Sequence, residues 1–187
     1  DSLSCGGNHQ GIAVMAAMKE YSTIDDILAI AAERGEKPFI AIADEIEDPH
    51  NLGAIIRSAE GAGAHGLIIP KRRSVGLSSV VSKASAGALE YLAVARVPNI
   101  ASAIDELKKK GVWIYGAEAG GNPYCETKFD SATAVVFGSE GAGISRLVRE
   151  KCDFMVSVPM YGKVNSLNVS CAAAVILCEA ARQLHNN

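Results

Sequence analysis

The sequence predicts an α/β protein built on a mostly parallel sheet with helices on both faces. Three observations carry this. Short apolar, β-rich runs alternate along the chain with segments of helical periodicity. Some of those runs are apolar throughout, as in Phe39-Ile40-Ala41-Ile42-Ala43, which suits a strand covered on two faces. The most polar, glycine-bearing loops follow strands, where parallel sheets place their ligand sites.

The predicted strands cover 39–43, 66–69, 92–97, 112–115, 134–137 and 154–158. The predicted helices cover 23–34, 49–62, 77–86, 100–110, 144–151 and 167–183. Residues 1–20 read as a leader, polar and glycine-rich over SCGGNHQG, and residues 21–187 as one domain. The first residue is Asp1 rather than Met, so further sequence upstream is expected.

Bulk composition bounds the function only loosely. With 187 residues, 49% hydrophobic and 21% charged, the chain can bury a core and should fold. No window reaches the roughly 18 unbroken apolar residues of a membrane span, so no membrane partner is expected. Five cysteines without a CxxC pair suggest free thiols in a reducing compartment, the cytoplasm. Cys171 and Cys178 sit in an alanine-rich stretch and are expected to pack as small hydrophobes. The net charge of −3 argues mildly against a long nucleic-acid grip. The basic clusters Lys71-Arg72-Arg73, Lys108-Lys109-Lys110 and Arg146, Arg149, Lys151 read as solvated surface. The four histidines are dispersed and no metal-ligand spacing occurs, so no metal is expected.

Three loops stand out. In the first, Asp48-Pro49 marks a helix start, with Asp as cap and Pro at the first helical position. Leu52, Ile55, Ile56 and Ala59 share one face of that helix, and Arg57 points roughly 150° away. A capping Asn51 and a solvated Arg57 are the plain reading. The functional one aims both at an anionic, hydroxyl-bearing substrate, because the guanidinium fork suits phosphate. The string Gly61 to Gly66 matches GxGxxG but closes a helix and enters a strand, the reverse of a dinucleotide fingerprint. It reads as a helix C-cap and turn.

The second loop, Gly138-Ser139-Glu140-Gly141-Ala142-Gly143, has three glycines in six positions, which permits unusual dihedrals and close approach by a ligand. It lacks the Lys-Ser/Thr of a phosphate loop and the GxSxG of a nucleophile elbow. The third runs from Pro159 to Asn168 and crowds Asn165, Ser166 and Asn168 at a helix start, where one cap would suffice. From the residues alone, the reading stops at an α/β protein with a polar site made by three loops.

In this order and spacing, the three segments resemble the three motifs of the SpoU (TrmH-like) family of SPOUT methyltransferases. Asn51-Leu52-Gly53-Ala54-Ile55-Ile56-Arg57-Ser58-Ala59 is similar to the first. Phe137-Gly138-Ser139-Glu140-Gly141 with Gly143-Ile144 is similar to the second. Val158-Pro159-Met160 with Ser166-Leu167-Asn168-Val169-Ser170 is similar to the third. The likeness covers about residues 38–184. Asn8-His9-Gln10-Gly11-Ile12 is similar to the segment that links a small N-terminal RNA-binding domain to the catalytic domain in ribosomal-RNA members.

The resemblance implies a C-terminal trefoil knot and an obligate homodimer. It implies S-adenosylmethionine held largely by backbone around Gly138, Val158 and Leu167, and methyl transfer to a ribose 2′-hydroxyl of RNA. Arg57, Asn51, Glu140, Ser166 and Asn168 match the family's catalytic and binding positions. The arginine is often described there as a general base. A guanidinium keeps its proton below about pH 12, so Arg57 is expected to act as an electrostatic stabiliser of the developing alkoxide. The linker favours large-subunit ribosomal RNA, with guanosine as the nucleotide; transfer RNA stays open. The rivals are a nucleotide-binding oxidoreductase, weakened by the misplaced glycine motif, and a non-catalytic RNA-binding module of the same fold.

Overall fold

A computed structural model describes residues 19–185. The leader at 1–20 lies outside the described residues except for Lys19 and Glu20. Among the described residues, six α-helices and six strands alternate except where β4 leads to β5: α1 (Ile24–Arg34), β1 (Phe39–Ala43), α2 (Pro49–Gly61), β2 (Gly66–Pro70), α3 (Ser79–Ala84), β3 (Ala93–Val97), α4 (Ile100–Lys109), β4 (Trp113–Pro123), β5 (Thr133–Phe137), α5 (Arg146–Lys151), β6 (Phe154–Ser157) and α6 (Val169–His185).

The strands form one sheet in the order β3-β2-β1-β5-β4-β6, and every pairing is parallel. Successive side chains of a strand point to opposite faces. Thus Phe39, Ala41 and Ala43 of β1 join an apolar cluster with α2 and α6, while Ile40 and Ile42 join one with α1 and α4. Helices cover both faces, as the unbroken apolar runs require. Because all strands are parallel, the loops leaving β1, β5 and β6 emerge at the same edge.

Most helix ends follow from capping chemistry. Asp48 accepts from the His50 and Asn51 amides at 2.6 and 3.4 Å, with Pro49 in the first turn, as the sequence predicts. The Gly61–Gly66 string does close α2. Gly63 takes φ 77°, its N–H bonds Glu60 O at 2.8 Å, and Ala64 N–H bonds Ala59 O at 2.9 Å.

Four boundaries and one packing expectation need correction. Strand β4 runs on to Pro123 instead of stopping at Tyr115, with a register shift between Ala117 and Asn122 where it borders β6. Gly116, Gly120 and Gly121 hide the continuation, because glycines break the β-rich pattern. α3 is shorter than 77–86 because Ser78 caps it and the Leu77 N–H is held by Tyr21 Oη at 2.8 Å. α5 starts at Arg146 rather than 144, since the loop before it is closed by Ser139 and Gly143. α6 starts at Val169 rather than 167. The Asn168 carbonyl takes the first helical bond from Ala172 N–H at 3.0 Å, and its side chain caps Ser170 N–H at 2.9 Å. Finally, Cys171 and Cys178 are exposed free thiols. They lie seven residues apart on one side of α6, and the buried stripe is Ala173, Ile176, Leu177 and Ala180.

His65, at the entry to β2, ties that strand to β1. Its Nδ1 accepts from Phe39 N–H at 3.0 Å, which leaves the proton on Nε2, 2.9 Å from Glu36 Oε2. Burial holds the imidazole below its ordinary value of 6.5, with the Glu36 contact opposing. A folded pKa below the unfolded one means that the unfolded chain binds the proton first. The stability that neutral His65 contributes is therefore present above 6.5 and lost as pH falls toward the folded value. Urea unfolding should show lower stability at about pH 5 than at about pH 7. His65→Asn, which keeps an acceptor for Phe39 N–H, should flatten that slope; equal slopes would show that another group titrates.

Candidate active site

The three loops converge at the C-terminal edge of the sheet. Asp44, at the end of β1, is buried. Its N–H bonds Phe137 O at 2.8 Å, and its carboxylate accepts from Ser145 N–H at 2.8 Å, so the first loop grips both ends of the second. The second loop closes on itself: Ser139 N–H bonds Gly143 O at 3.0 Å and Gly143 N–H bonds Ser139 O at 2.9 Å. Gly141 and Gly143 take φ of 85° and 70°, which L side chains rarely adopt. A Cβ on Gly138 would run into the backbone of Gly143 and Ile144. The glycine content of this loop is thus a steric requirement of its closure.

Asn168 joins all three loops. Its Nδ2 donates to Asn51 Oδ1 at 3.0 Å and also to Glu140 Oε1. Its Oδ1 accepts from the Ser170 hydroxyl at 2.6 Å as well as from the Ser170 amide. An asparagine can do this because its amide carries two donors beside an acceptor. Residues 117 positions apart in the chain, Asn51 and Asn168, are in direct contact.

This junction stands between two cavities. The larger, of ≈ 550 Å³, lies under the second and third loops and is bounded by Gly138, Glu140, Val158, Ser166, Leu167 and Asn168. The smaller, of ≈ 370 Å³, lies beside it and is bounded by Glu45, Glu47, Asp48, Asn51 and Glu140. Glu140 belongs to both. Seven of the eight site residues expected from sequence are therefore gathered here. Arg57 is not: it is exposed on α2, lines neither cavity, and has no hydrogen bond or ion pair among the described residues.

The fold adds residues that sequence reasoning missed. Ala117, Glu118 and Ala119 wall the larger cavity from β4. The only sequence signal was a lone acidic residue just past an apolar strand. Among the described residues, no group of three or more His, Cys, Asp or Glu is placed to hold a metal ion, and no helix is long and apolar enough to cross a membrane.

Comparison with known proteins adds the decisive observation. The family model described as the SpoU rRNA Methylase family matches residues 38–178.

The chain belongs to the SpoU methylase family.

It is 48% identical over 178 residues to the TrmH family tRNA/rRNA methyltransferase YacO of Bacillus subtilis, covering 95% of this chain and 72% of YacO. A TrmH family tRNA/rRNA methyltransferase of Staphylococcus aureus is equally similar, at 48% over 179 residues. Among solved structures, the SpoU methyltransferase AviRb of Streptomyces viridochromogenes in complex with AdoMet superposes with a TM-score of 0.75 at 33% identity. That match covers 81% of this chain, which spans 62% of the length of AviRb. An AdoMet-bound rRNA methyltransferase of Sinorhizobium meliloti gives a TM-score of 0.78 at 27% identity, over 89% of this chain and 62% of that one.

The closed second loop should be the least tolerant part of this SpoU methylase site. Gly138→Ala should lower stability by about 1–3 kcal/mol, because the methyl must displace backbone. Denaturant unfolding reads the loss, and faster hydrogen exchange at the Gly143 amide should accompany it. A variant as stable and as protected as the parent would show that the loop has room to spare.

Proposed function

We propose that this chain is the catalytic part of an S-adenosylmethionine-dependent RNA methyltransferase acting on a ribose 2′-hydroxyl. The observation that carries the reading is the Asn51–Asn168–Glu140 junction between two adjacent cavities. It offers one compartment for the methyl donor and one for the nucleotide, with shared polar groups at the boundary. The larger cavity suits the donor: glycine backbone and small side chains admit a flat adenosine, and its carboxylates suit a cation. Gly138, Val158 and Leu167 would hold the donor, whose sulfonium supplies an electrophilic methyl group.

In this mechanism the chain's own residues position and stabilise. Asn51 and Ser166 fix the ribose. Glu140 and Asn168 keep the loops in register, so the hydroxyl is held in line for attack; alignment of this kind supplies much of an acceleration. Arg57 faces solvent on the helix that carries Asn51 and lines neither cavity, so it meets the RNA strand where it runs out of the smaller cavity across the surface. There its charge stabilises the developing alkoxide and the adjoining phosphate.

Ribosomal RNA is the favoured substrate, with a guanosine of 23S rRNA as the target; the AdoMet-bound Sinorhizobium meliloti relative is an rRNA methyltransferase. Transfer RNA is the second reading, favoured by relatives named for both RNAs and by the TrmH/SpoU tRNA modifying enzyme of Aquifex aeolicus, with a TM-score of 0.71 at 27% identity. The reading extends to a homodimer in the cytoplasm, to which the exposed apolar side chains Tyr161, Val164 and Leu167 lend a surface. It extends also to the trefoil knot, which is supported by the loop leaving β6 returning against the loop that leaves β5.

Calorimetric titration with S-adenosylmethionine and, separately, NAD tests the donor. Saturable binding of the first alone is expected, and no binding by folded protein would bring a non-catalytic RNA module forward. In a methyl-transfer assay on ribosomal and transfer RNA, Arg57→Ala should slow the reaction by about 10²–10³-fold with donor affinity unchanged. Arg57→Lys should keep part of the rate at all pH. Recovery only where lysine loses its proton would show that Arg57 is the proton acceptor instead.

A further inference from the structure

Glu118 stands in the wall of the larger cavity, on the stretch of β4 between its two contacts with β6. Its carboxylate is held between two environments. Oε1 faces the second loop, where a Cβ added to Gly143 would come within 3.3 Å of it. Oε2 is buried and accepts no hydrogen bond among the described residues. Arg149 Nε lies 3.0 Å from Oε2 but is not aligned for a hydrogen bond, and its side chain is 57% exposed and lies outside the cavity lining. A pair with one partner so exposed is partly screened by solvent and offsets the carboxylate only in part. A buried carboxylate oxygen without an aligned donor leaves the charge of Glu118 incompletely offset by the protein.

The charges around this cavity are all of one sign. Glu118 and Glu140 line it, and no lysine, arginine or histidine does among the described residues. Glu140 already accepts from Asn168, so Glu118 is the less satisfied of the two. The methyl donor carries a sulfonium, an ammonium and a carboxylate, one net positive charge. Once the methyl has left, the sulfur is a neutral thioether and the net charge is zero. An acidic wall attracts the first and has little net attraction for the second.

We infer that Glu118 is a specificity residue that makes the cavity prefer the charged methyl donor over its neutral product, so that the spent molecule leaves. The inference rests on the methyl-donor reading above. It differs from that reading in assigning the discrimination to a side chain of β4 rather than to the three motif loops. Arg149 sets its strength from outside by partly neutralising Glu118.

The test is calorimetric titration of the whole chain with S-adenosylmethionine and with S-adenosylhomocysteine, for the parent, Glu118→Gln and Arg149→Gln. The quantity read is the ratio of the two affinities. Glu118→Gln keeps the shape and should lower the preference for the donor by about tenfold, mainly through weaker donor binding. Arg149→Gln frees the carboxylate from its partner and should raise the preference. It also checks the idea should Glu118→Gln unfold, which circular dichroism would reveal. Equal loss of both affinities, or an unchanged ratio in both variants, overturns the inference and leaves the methyl-donor reading standing. Failure of the folded parent to bind either compound overturns both.

Discussion

One side-chain amide holds the site together. Asn168 donates to Asn51 and to Glu140 while accepting from Ser170, so a single residue at the start of α6 joins loops that leave three different strands. Without it, Glu140 would hang from a glycine-rich loop and Asn51 would be a first-turn residue of α2 with its side chain unengaged. The geometry is available only because the sheet is parallel throughout. Parallel order sends every strand's carboxyl end the same way and so brings distant stretches of chain to one rim.

A second constraint supports the first from below. Asp44 binds the backbone at both ends of the loop between β5 and α5, and it does so from a buried position. The loop is therefore fixed at its base by a carboxylate and closed at its neck by the Ser139–Gly143 pair. The whole loop from Gly138 to Gly143 lines the larger cavity, and its tip carries Glu140. A site built in this way needs little rearrangement to receive a ligand, which limits the entropy lost on binding.

The sheet and its helices were legible because apolar runs of strand length and helical stripes obey simple periodicities, and all six strands and six helices were anticipated. The site loops were legible for a different reason: polar and glycine residues gathered after strands, where packing does not call for them. Arg57 shows the limit. Its distance from the apolar face of α2 was readable, and the helix does expose it, but nothing in the spacing could say that it would lie apart from the cavities. Glu118 was missed outright, because its strand is masked by glycines that a pattern of β-branched residues cannot bridge. Cys171 and Cys178 were misplaced because an alanine-rich helix has no strong stripe to mark its buried side.

The register shift in β4 has a consequence for how such a site can change. Val156 of β6 pairs with Ala117 before the shift and with Asn122 after it, so residues 118–121 stand outside the ladder. Gly121 at the far end of this excursion lies too close to the Met155–Val156 backbone to carry a side chain, which pins the point of return. The segment between is a small detachable panel. Its chemistry can vary while the strands on either side keep their pairing, so this wall of the cavity is open to revision without disturbing the β4–β6 ladder.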